Sequence, residues 1–441
     1  MLPALNAALT KSDREVGKVF VARPLAPLKA VPEASSPLHP AETEFEAFLQ
    51  AHTPRPKTVA TNRDDPAFWL YRSGSTGRPK GTVYSHANPY WTCELFGKGV
   101  LKFSENDVCF SAAKLFFAYG PGNALRLPMS VSASTILITE RPTPEATFKR
   151  WRGEVGGIKP TVFFGAPTGF AGMLASPWLP ACHEVAMRLA SSAGEALPAE
   201  IEKRFQRHFG VDIVDGIGSI ELAHVFLSSR PGDVRYGITG WPVPGYWIDR
   251  LGEDGSLEPD GDTGDLFVQG PSVALLYWGN RQKTFETFQG GWTKSGDKYV
   301  KNADGTYTYS GRIDDMLKVR GIDVSPFEVE ATLVQHSAVL EAAVVGVPEP
   351  EGLTKTKAFG VLKAGAQATD DELKAFVKDK LAPHKFPSQI ALVAERPKTV
   401  TGKIQRFKLR EMEASKLADV CYAPERPSAG GPAEPAPRRE A

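Results

Sequence analysis

Short apolar runs of four or five residues alternate along this chain with stretches whose apolar positions recur at helical spacing. Lys18–Ala22, Phe68–Tyr71, Thr135–Ile138, Thr161–Phe164 and Val211–Val214 are such runs. They are too short for helices and read as strands. Glu42–Gln50 places Phe45, Phe48 and Leu49 at helical spacing. Asn88-Pro89 and Thr143-Pro144 each put a capping side chain before a proline, the signature of a helix start. Strands alternating with helices imply an α/β fold whose layered sheets are mostly parallel.

The texture changes twice. From Gly237 to Gly311 the chain becomes a glycine-punctuated series of strands such as Asp265–Gln269, with a hairpin signal at Asp304-Gly305. This reads as a β-rich subdomain. After Asp315 a second composition begins: a helix over Pro326–Gln335, strands over Glu341–Val347 and Ala358–Leu362, and a Thr369-capped helix reaching Leu381. These fit a small α+β domain. Residues 1–313 are expected to form the large domain, 314–418 the small one, and 419–441 a disordered tail of Pro, Ala, Glu and Arg with nothing to bury. Pro24 to Pro40 must be loop.

Composition narrows the function classes. At 441 residues the chain exceeds one ordinary core. Its 52 basic and 51 acidic residues leave a net charge of +1, and no basic stretch stands out to support a nucleic-acid surface. Mean hydropathy is −0.24, and no apolar run approaches the length of a membrane span. Met1–Thr10 is apolar but lacks the basic region of a secretory signal. Cys93, Cys109, Cys182 and Cys421 are scattered without CxxC or zinc spacing, which fits reduced thiols in a cytoplasmic protein.

The candidate chemistry begins at Ser73-Gly74-Ser75-Thr76-Gly77-Arg78-Pro79-Lys80-Gly81. Glycines let backbone N–H groups approach an anion, while hydroxyls and a lysine supply charge-assisted contacts, so this is a candidate phosphate loop. It is not a Walker loop, because Pro79 stands where glycine should precede the lysine. The same composition also suits an ordinary surface loop. Two later motifs decide otherwise: Gly311–Gly321 (GRIDDMLKVRG) followed by Val324–Glu330 (VSPFEVE), and Pro397–Arg406 (PKTVTGKIQR).

These three motifs, in this order, resemble the acyl-adenylate-forming superfamily of acyl-CoA ligases, luciferases and peptide-synthetase adenylation domains. Lys114–Gly120 and Asp215–Ser219 are most similar to benzoate- and hydroxybenzoate-CoA ligases. The resemblance spans about Ala60 to Met412. It implies that a carboxylate attacks the α-phosphate of ATP to give acyl-AMP and pyrophosphate, and that the thiol of CoA then displaces AMP, with Mg²⁺ screening the phosphates.

Residue by residue, the resemblance implies that Ser73, Gly74, Ser75, Thr76, Gly77 and Lys80 hold the β/γ-phosphates, Thr76 with a catalytic part. Gly194, Glu195 and Ala196 would line adenine on one side, with Asp215, Gly216, Ile217 and Gly218 on the other. Glu221 would hold Mg²⁺ and act in catalysis, Asp297 and Arg312 would reach the ribose, and Lys403 would meet the attacking carboxylate and α-phosphate. A turn at Ser295-Gly296-Asp297 and a solvated lysine at 403 are the plain alternatives. Ala118, Tyr119, Gly120, Ser219 and His224 would bind the acyl group, with Phe116 and Phe117 as further wall or simple core. Arg320 and Gly321 would line the CoA channel, and Asp314 would be the hinge about which the small domain turns between half-reactions. Ala118, Tyr119, Gly120, Ser219 and His224 include no carboxylate, lysine or arginine to pair with a second carboxylate or an amine, so a neutral planar acid fits.

Three departures accompany the match. Only 72 residues precede Ser73, fewer than family members usually carry, so the N-terminal subdomain is expected to be incomplete. Ile220 stands where threonine is usual, and Arg72 where a small residue is usual. Two other readings are thus a weakly active or non-catalytic relative, and a stand-alone adenylation protein loading a separate carrier protein. The resemblance also allows a homodimer.

Overall fold

The computed structural model describes residues 19–21, 42–54, 57–73, 79–319, 322–348, 354–397 and 404–421. The chain divides into two compact units, Met1–Asn62 and Arg63–Ala441. In the first, the strand Val19–Val21 pairs in parallel with Glu42–Glu44, which runs into the helix Phe45–Gln50. Phe20 and Phe48 meet there with ring centroids 4.4 Å apart. The expected helix over Glu42–Gln50 is thus a short strand followed by a helix. The Pro24–Pro40 loop lies outside the described residues.

The second unit is built on a seven-stranded sheet. In spatial order its strands are Trp241–Pro242, Val225–Ser228, Ile213–Gly218, Leu189–Ala193, Val162–Gly165, Val108–Ser111 and Ser134–Ile136. The last five are parallel to one another, and the first two run antiparallel. Alternation sends successive side chains to opposite faces. Val162 and Phe164 join one apolar cluster, while Phe163 joins another with Phe110, Phe148, Trp151, Phe170 and Phe205. Trp151 is fully buried and meets Phe163 edge-on at 4.9 Å. Truncating such a side chain to alanine costs about 3–5 kcal/mol. Thr143 caps the helix Pro144–Trp151 as expected, accepting from the N–H of Ala146 at 3.2 Å.

Helix initiation near Asn88 departs from expectation. The helix Ala87–Thr92 starts two residues earlier than a cap at Asn88 implies, and Asn88 Oδ1 accepts from the N–H of Ser85 at 2.7 Å while its amide donates to the carbonyl of Val273 at 3.0 Å. A buried amide is satisfied better by two fixed partners than by a cap facing solvent.

A five-stranded antiparallel sheet contains Trp247–Leu251, Thr263–Gln269, Trp292–Lys301 and Tyr307–Arg312. Its Asp304-Gly305 turn is the expected hairpin, with Gly305 at φ +80°. Beyond it, Val339–Pro348 pairs with Thr354–Leu362, which pairs in parallel with Gln389–Leu392. The helices Pro326–Val334 and Asp370–Lys378 bring Val329, Leu333, Leu373 and Val377 onto one side of that sheet. Ser325 and Thr369 cap them, the latter in a reciprocal capping box with Glu372. The helix Arg406–Cys421 packs Leu409 on the other side. It passes the expected tail boundary at 419, because its anchored first turns carry the backbone on to Cys421; residues 422–441 lie outside the described residues. Among the described residues no helix is long and apolar enough to cross a membrane.

Candidate active site

The strands Leu189–Ala193 and Ile213–Gly218 run in parallel with Ser192 opposite Asp215 and Ala193 opposite Gly216. Parallel strands present their carboxyl ends to one edge, where α/β sheets collect ligands. Two motifs therefore leave the sheet together: Gly194-Glu195-Ala196 and the segment from Gly216 through Ile217 and Gly218 to Glu221. Asp215 is buried, with its N–H donating to Ser229 Oγ and its carbonyl accepting from Ser228 Oγ, each at 2.9 Å. Its Oδ1 has no hydrogen-bond partner among the described residues, and burial pushes its carboxyl up to about 8. Glu202, on the helix Ala199–Phe209, is pushed up to about 9 by burial and then by the charge of Asp215. Its Oε2 accepts from the N–H of Gly237 at 2.7 Å.

After Gly218 the chain turns tightly through Ser219–His224 into the strand Val225–Ser228. The N–H of Ala223 donates to the carbonyl of Ile220 at 3.0 Å, and that of His224 to Leu222 at 2.8 Å. Ala223 sits at φ +62°, a left-handed conformation that costs a non-glycine residue about 1 kcal/mol or more. This one turn serves two neighbourhoods.

Glu221 enters the first. It is 2% exposed, and its Oε1 accepts from the phenol of Tyr277 at 2.5 Å. Tyr277 pairs with Thr82 on the strand Pro79–Ser85, and Lys80 on that strand holds its ammonium 5.8 Å from the Tyr277 ring centroid. Pro79–Ser85 is the second strand of a hairpin with Pro66–Ser73, Ser73 lying opposite Pro79. A strand, not a helix, follows the phosphate loop, as Pro79 implies. Ile220 packs with Tyr84, Ala223 and Ala274, and its carbonyl accepts from the Tyr84 phenol.

His224 enters the second neighbourhood. It is 4% exposed, with Nε2 3.0 Å from Asn123 Oδ1. An amide oxygen accepts, so Nε2 carries the proton. Nδ1 has no partner among the described residues, and burial, then the Arg126 guanidinium, hold the imidazole neutral with its pKa down at about 3. The ring stacks on Tyr119 at 5.7 Å and 26°. Any side chain at Gly122 would put its Cβ 2.3 Å from His224 Cδ2, so only glycine admits the ring. Tyr119 opens the short helix Tyr119–Pro121 between Ala118 and the buried Gly120, and its hydroxyl lies 3.4 Å from Ser191 Oγ. Ser219, at the head of the turn, has an Oγ without a partner among the described residues. Phe116 departs from both expectations, wall and core: it is 62% exposed, its ring tilted by 51° against Phe117 at 4.4 Å. The bend that turns Tyr119 inward leaves Phe116 outside.

Asp297 lies on the strand Trp292–Lys301 of the antiparallel sheet. It lies opposite Arg312, whose Nη1 donates to Oδ1 at 2.9 Å. Gly296 takes φ +83°, and a Cβ there would lie 2.7 Å from Arg312 Nη2. Burial works against the Arg312 charge, but Asp297 more than offsets it, so the guanidinium is held above its ordinary pKa. Asp314 follows, exposed, in the short 3₁₀ turn Ile313–Asp315. Gly74, Ser75, Thr76, Gly77, Arg320, Gly321 and Lys403 lie outside the described residues, as does the Ser73 side chain.

Two residues that the sequence reading missed complete the arrangement. Tyr277 carried no signal beyond an aromatic in a short run. Asn123 was hidden because its role depends on a histidine 101 positions away.

Comparison with known proteins accounts for this assembly. The profile of the AMP-binding enzyme family matches residues 4–278, and that of the AMP-binding enzyme C-terminal domain matches residues 328–403. The chain is 49% identical over 426 residues to a benzoate–CoA ligase of Thauera aromatica, covering 92% of this chain and 80% of that one. It is 45% identical over 382 residues to a 4-hydroxybenzoate–CoA/benzoate–CoA ligase of Rhodopseudomonas palustris, covering 85% and 69%. The fold superposes on the crystal structure of a benzoate CoA ligase from Burkholderia xenovorans LB400 with a TM-score of 0.82 and 54% identity, covering 92% of this chain and 78% of that one. The chain belongs to the AMP-binding enzyme family.

Proposed function

We propose that the protein is an AMP-forming aryl-CoA ligase acting on benzoate or a hydroxybenzoate. The observation that carries the reading is the turn Ser219–His224. One of its residues, Glu221, lies beside the strand that carries Lys80, and another, His224, stacks on Tyr119 and packs against Phe96. A phosphate-facing carboxylate and a slot for a planar ring are thereby joined by three residues of backbone.

In the first half-reaction an aryl carboxylate oxygen attacks the α-phosphorus of ATP, and the bond to the bridging oxygen of pyrophosphate breaks. Asp297, fixed by Arg312, takes the ribose hydroxyls; Gly194–Ala196 and Asp215–Gly218 enclose adenine, where the unpartnered Asp215 Oδ1 offers an acceptor. Lys80 and the loop from Ser73 to Gly77 hold the departing phosphates. Lys403 meets the carboxylate and the α-phosphate, where negative charge accumulates. In the second half-reaction the small domain from 314 to 418 has turned about Asp314. CoA then enters past Arg320 and Gly321, its sulfur attacks the acyl carbon, and AMP leaves with the carbon–oxygen bond.

Mg²⁺ fits the Glu221 neighbourhood. A buried carboxylate beside a lysine-bearing phosphate strand is the usual donor set, since this ion takes one or two carboxylates and completes its shell with phosphate and water. When bound it screens the triphosphate charge. ATP and CoA supply places the reaction in the cytoplasm.

The test is product analysis with ATP, Mg²⁺ and benzoate or 4-hydroxybenzoate. AMP and pyrophosphate, with aryl-CoA when CoA is added, are expected; ADP and phosphate would refute the reading.

A further inference from the structure

Glu195 bridges two stretches of chain 209 residues apart. Its Oε1 accepts the backbone N–H of Ile404 at 3.0 Å. Ile404 is the residue that follows Lys403 in sequence. The stem there is closed by the N–H of Gln405 donating to the carbonyl of Pro397 at 2.9 Å. Behind it, Arg406 donates to both oxygens of Glu330 at 2.8 and 2.7 Å and Arg410 reaches Asp315 at 3.1 Å. Ile404 itself packs beside Ala343, Val345, Phe359 and Leu409.

All these supporting contacts join residues beyond 314 to one another, so they persist wherever that part of the chain goes. The Glu195 contact is different. It crosses to the turn leaving Leu189–Ala193, next to Asp215 and Gly216. It also engages a main-chain N–H and so fixes a position along the chain, whatever side chain stands at 404. A slip of one residue would move the neighbouring lysine by about 3.5 Å, whereas reacting groups tolerate misplacement of only about 1 Å.

We propose that Glu195 is a positioning residue for the adenylation half-reaction: its carboxylate holds the stem at Ile404 against the nucleotide turn and must release it before the CoA half-reaction. The proposal rests on the aryl-CoA ligase reading.

The test measures two half-reactions in full-length protein: pyrophosphate release from ATP and benzoate, and benzoyl-CoA formation from supplied benzoyl-AMP and CoA. Glu195→Ala is expected to lower the ratio of adenylation kcat to thioester-forming kcat by about tenfold, the size of one lost charge-assisted contact. Glu195→Gln keeps a carbonyl acceptor and should recover most of that ratio. Ile404→Pro deletes the donor while leaving Glu195 in place, and should lower adenylation with thioester formation unchanged. Equal loss in both half-reactions, a loss confined to the KM for ATP, or Glu195→Gln no better than Glu195→Ala would overturn the proposal. If Ile404→Pro does not fold, the two Glu195 variants decide. Wild-type protein that releases no pyrophosphate with any aromatic acid overturns the ligase reading itself, and this proposal with it.

Discussion

The phenol of Tyr277 donates to Oε1 of Glu221 at 2.5 Å, across 56 residues of sequence. On the proposed reading Glu221 meets Mg²⁺ and phosphate; such a carboxylate needs a fixed orientation, and a hydrogen bond from a buried phenol supplies it. Bonds to a charged group contribute about 1.5–3 kcal/mol. The Tyr277 ring also stands beside the Lys80 ammonium, so one side chain steadies both charges of the phosphate end.

Tyr277→Phe should therefore raise the Mg²⁺ concentration needed for half-maximal pyrophosphate release severalfold and lower kcat about tenfold, while the KM for benzoate stays within twofold. Titrating Mg²⁺ at saturating ATP measures it. Unchanged Mg²⁺ dependence would show that Tyr277 only packs.

The hinge assignment predicts opposite effects at two positions. Lys403→Ala should cripple adenylation and leave benzoyl-CoA formation from supplied benzoyl-AMP much less affected. Asp314→Pro should do the reverse, because proline fixes φ at an exposed turn whose rotation the second step requires. Parallel losses in the two half-reactions for either variant would count against domain rotation.

The Ile220 side chain offers neither donor nor acceptor next to Glu221 and lies against Tyr84, Ala223 and Ala274. Ile220→Thr should raise the adenylation rate by returning a hydroxyl to the phosphate side. It should also lower the melting temperature, since the apolar cluster loses contact worth about 1 kcal/mol. Pyrophosphate release that stays the same or drops would mean that the isoleucine is adapted to this pocket.

The buried carboxyls give a pH signature. Glu202, with its folded pKa pushed up to about 9 from an ordinary 4.5, binds a proton in the native state that the unfolded chain has lost. Unfolding thus releases protons across that window, and stability falls as pH rises from about 4.5 to 9. Glu202→Gln keeps an acceptor for the N–H of Gly237 and removes the titration. Its melting temperature should match wild type near pH 5 and exceed it at pH 8.5. His224, held down at about 3, works with the opposite sign below pH 6.5, where the unfolded chain binds the extra proton and acid erodes stability. The two signs separate the contributions in one pH series.

The chain by itself determined most features whose signal is local. The caps at Thr143, Ser325 and Thr369, the turn at Asp304-Gly305 and the buried strand runs are written within a few residues, because helix starts and turns are settled by backbone hydrogen bonds to near neighbours. Glu221, Asp297 and Arg312 could be named as candidates for the same reason, each within a contiguous motif. Only the tertiary structure decided which of these segments meet. Strand order puts Leu189–Ala193 beside Ile213–Gly218, with Ala193, two residues before Glu195, opposite Gly216. It also brings Tyr277 to Glu221, Asn123 to His224 and Ile404 to Glu195. Phe116 shows the same limit in burial: an aromatic expected as pocket wall or core is exposed. Periodicity reports one face of an element, whereas burial and pairing depend on what the rest of the chain lays against that face, across separations of tens to hundreds of residues.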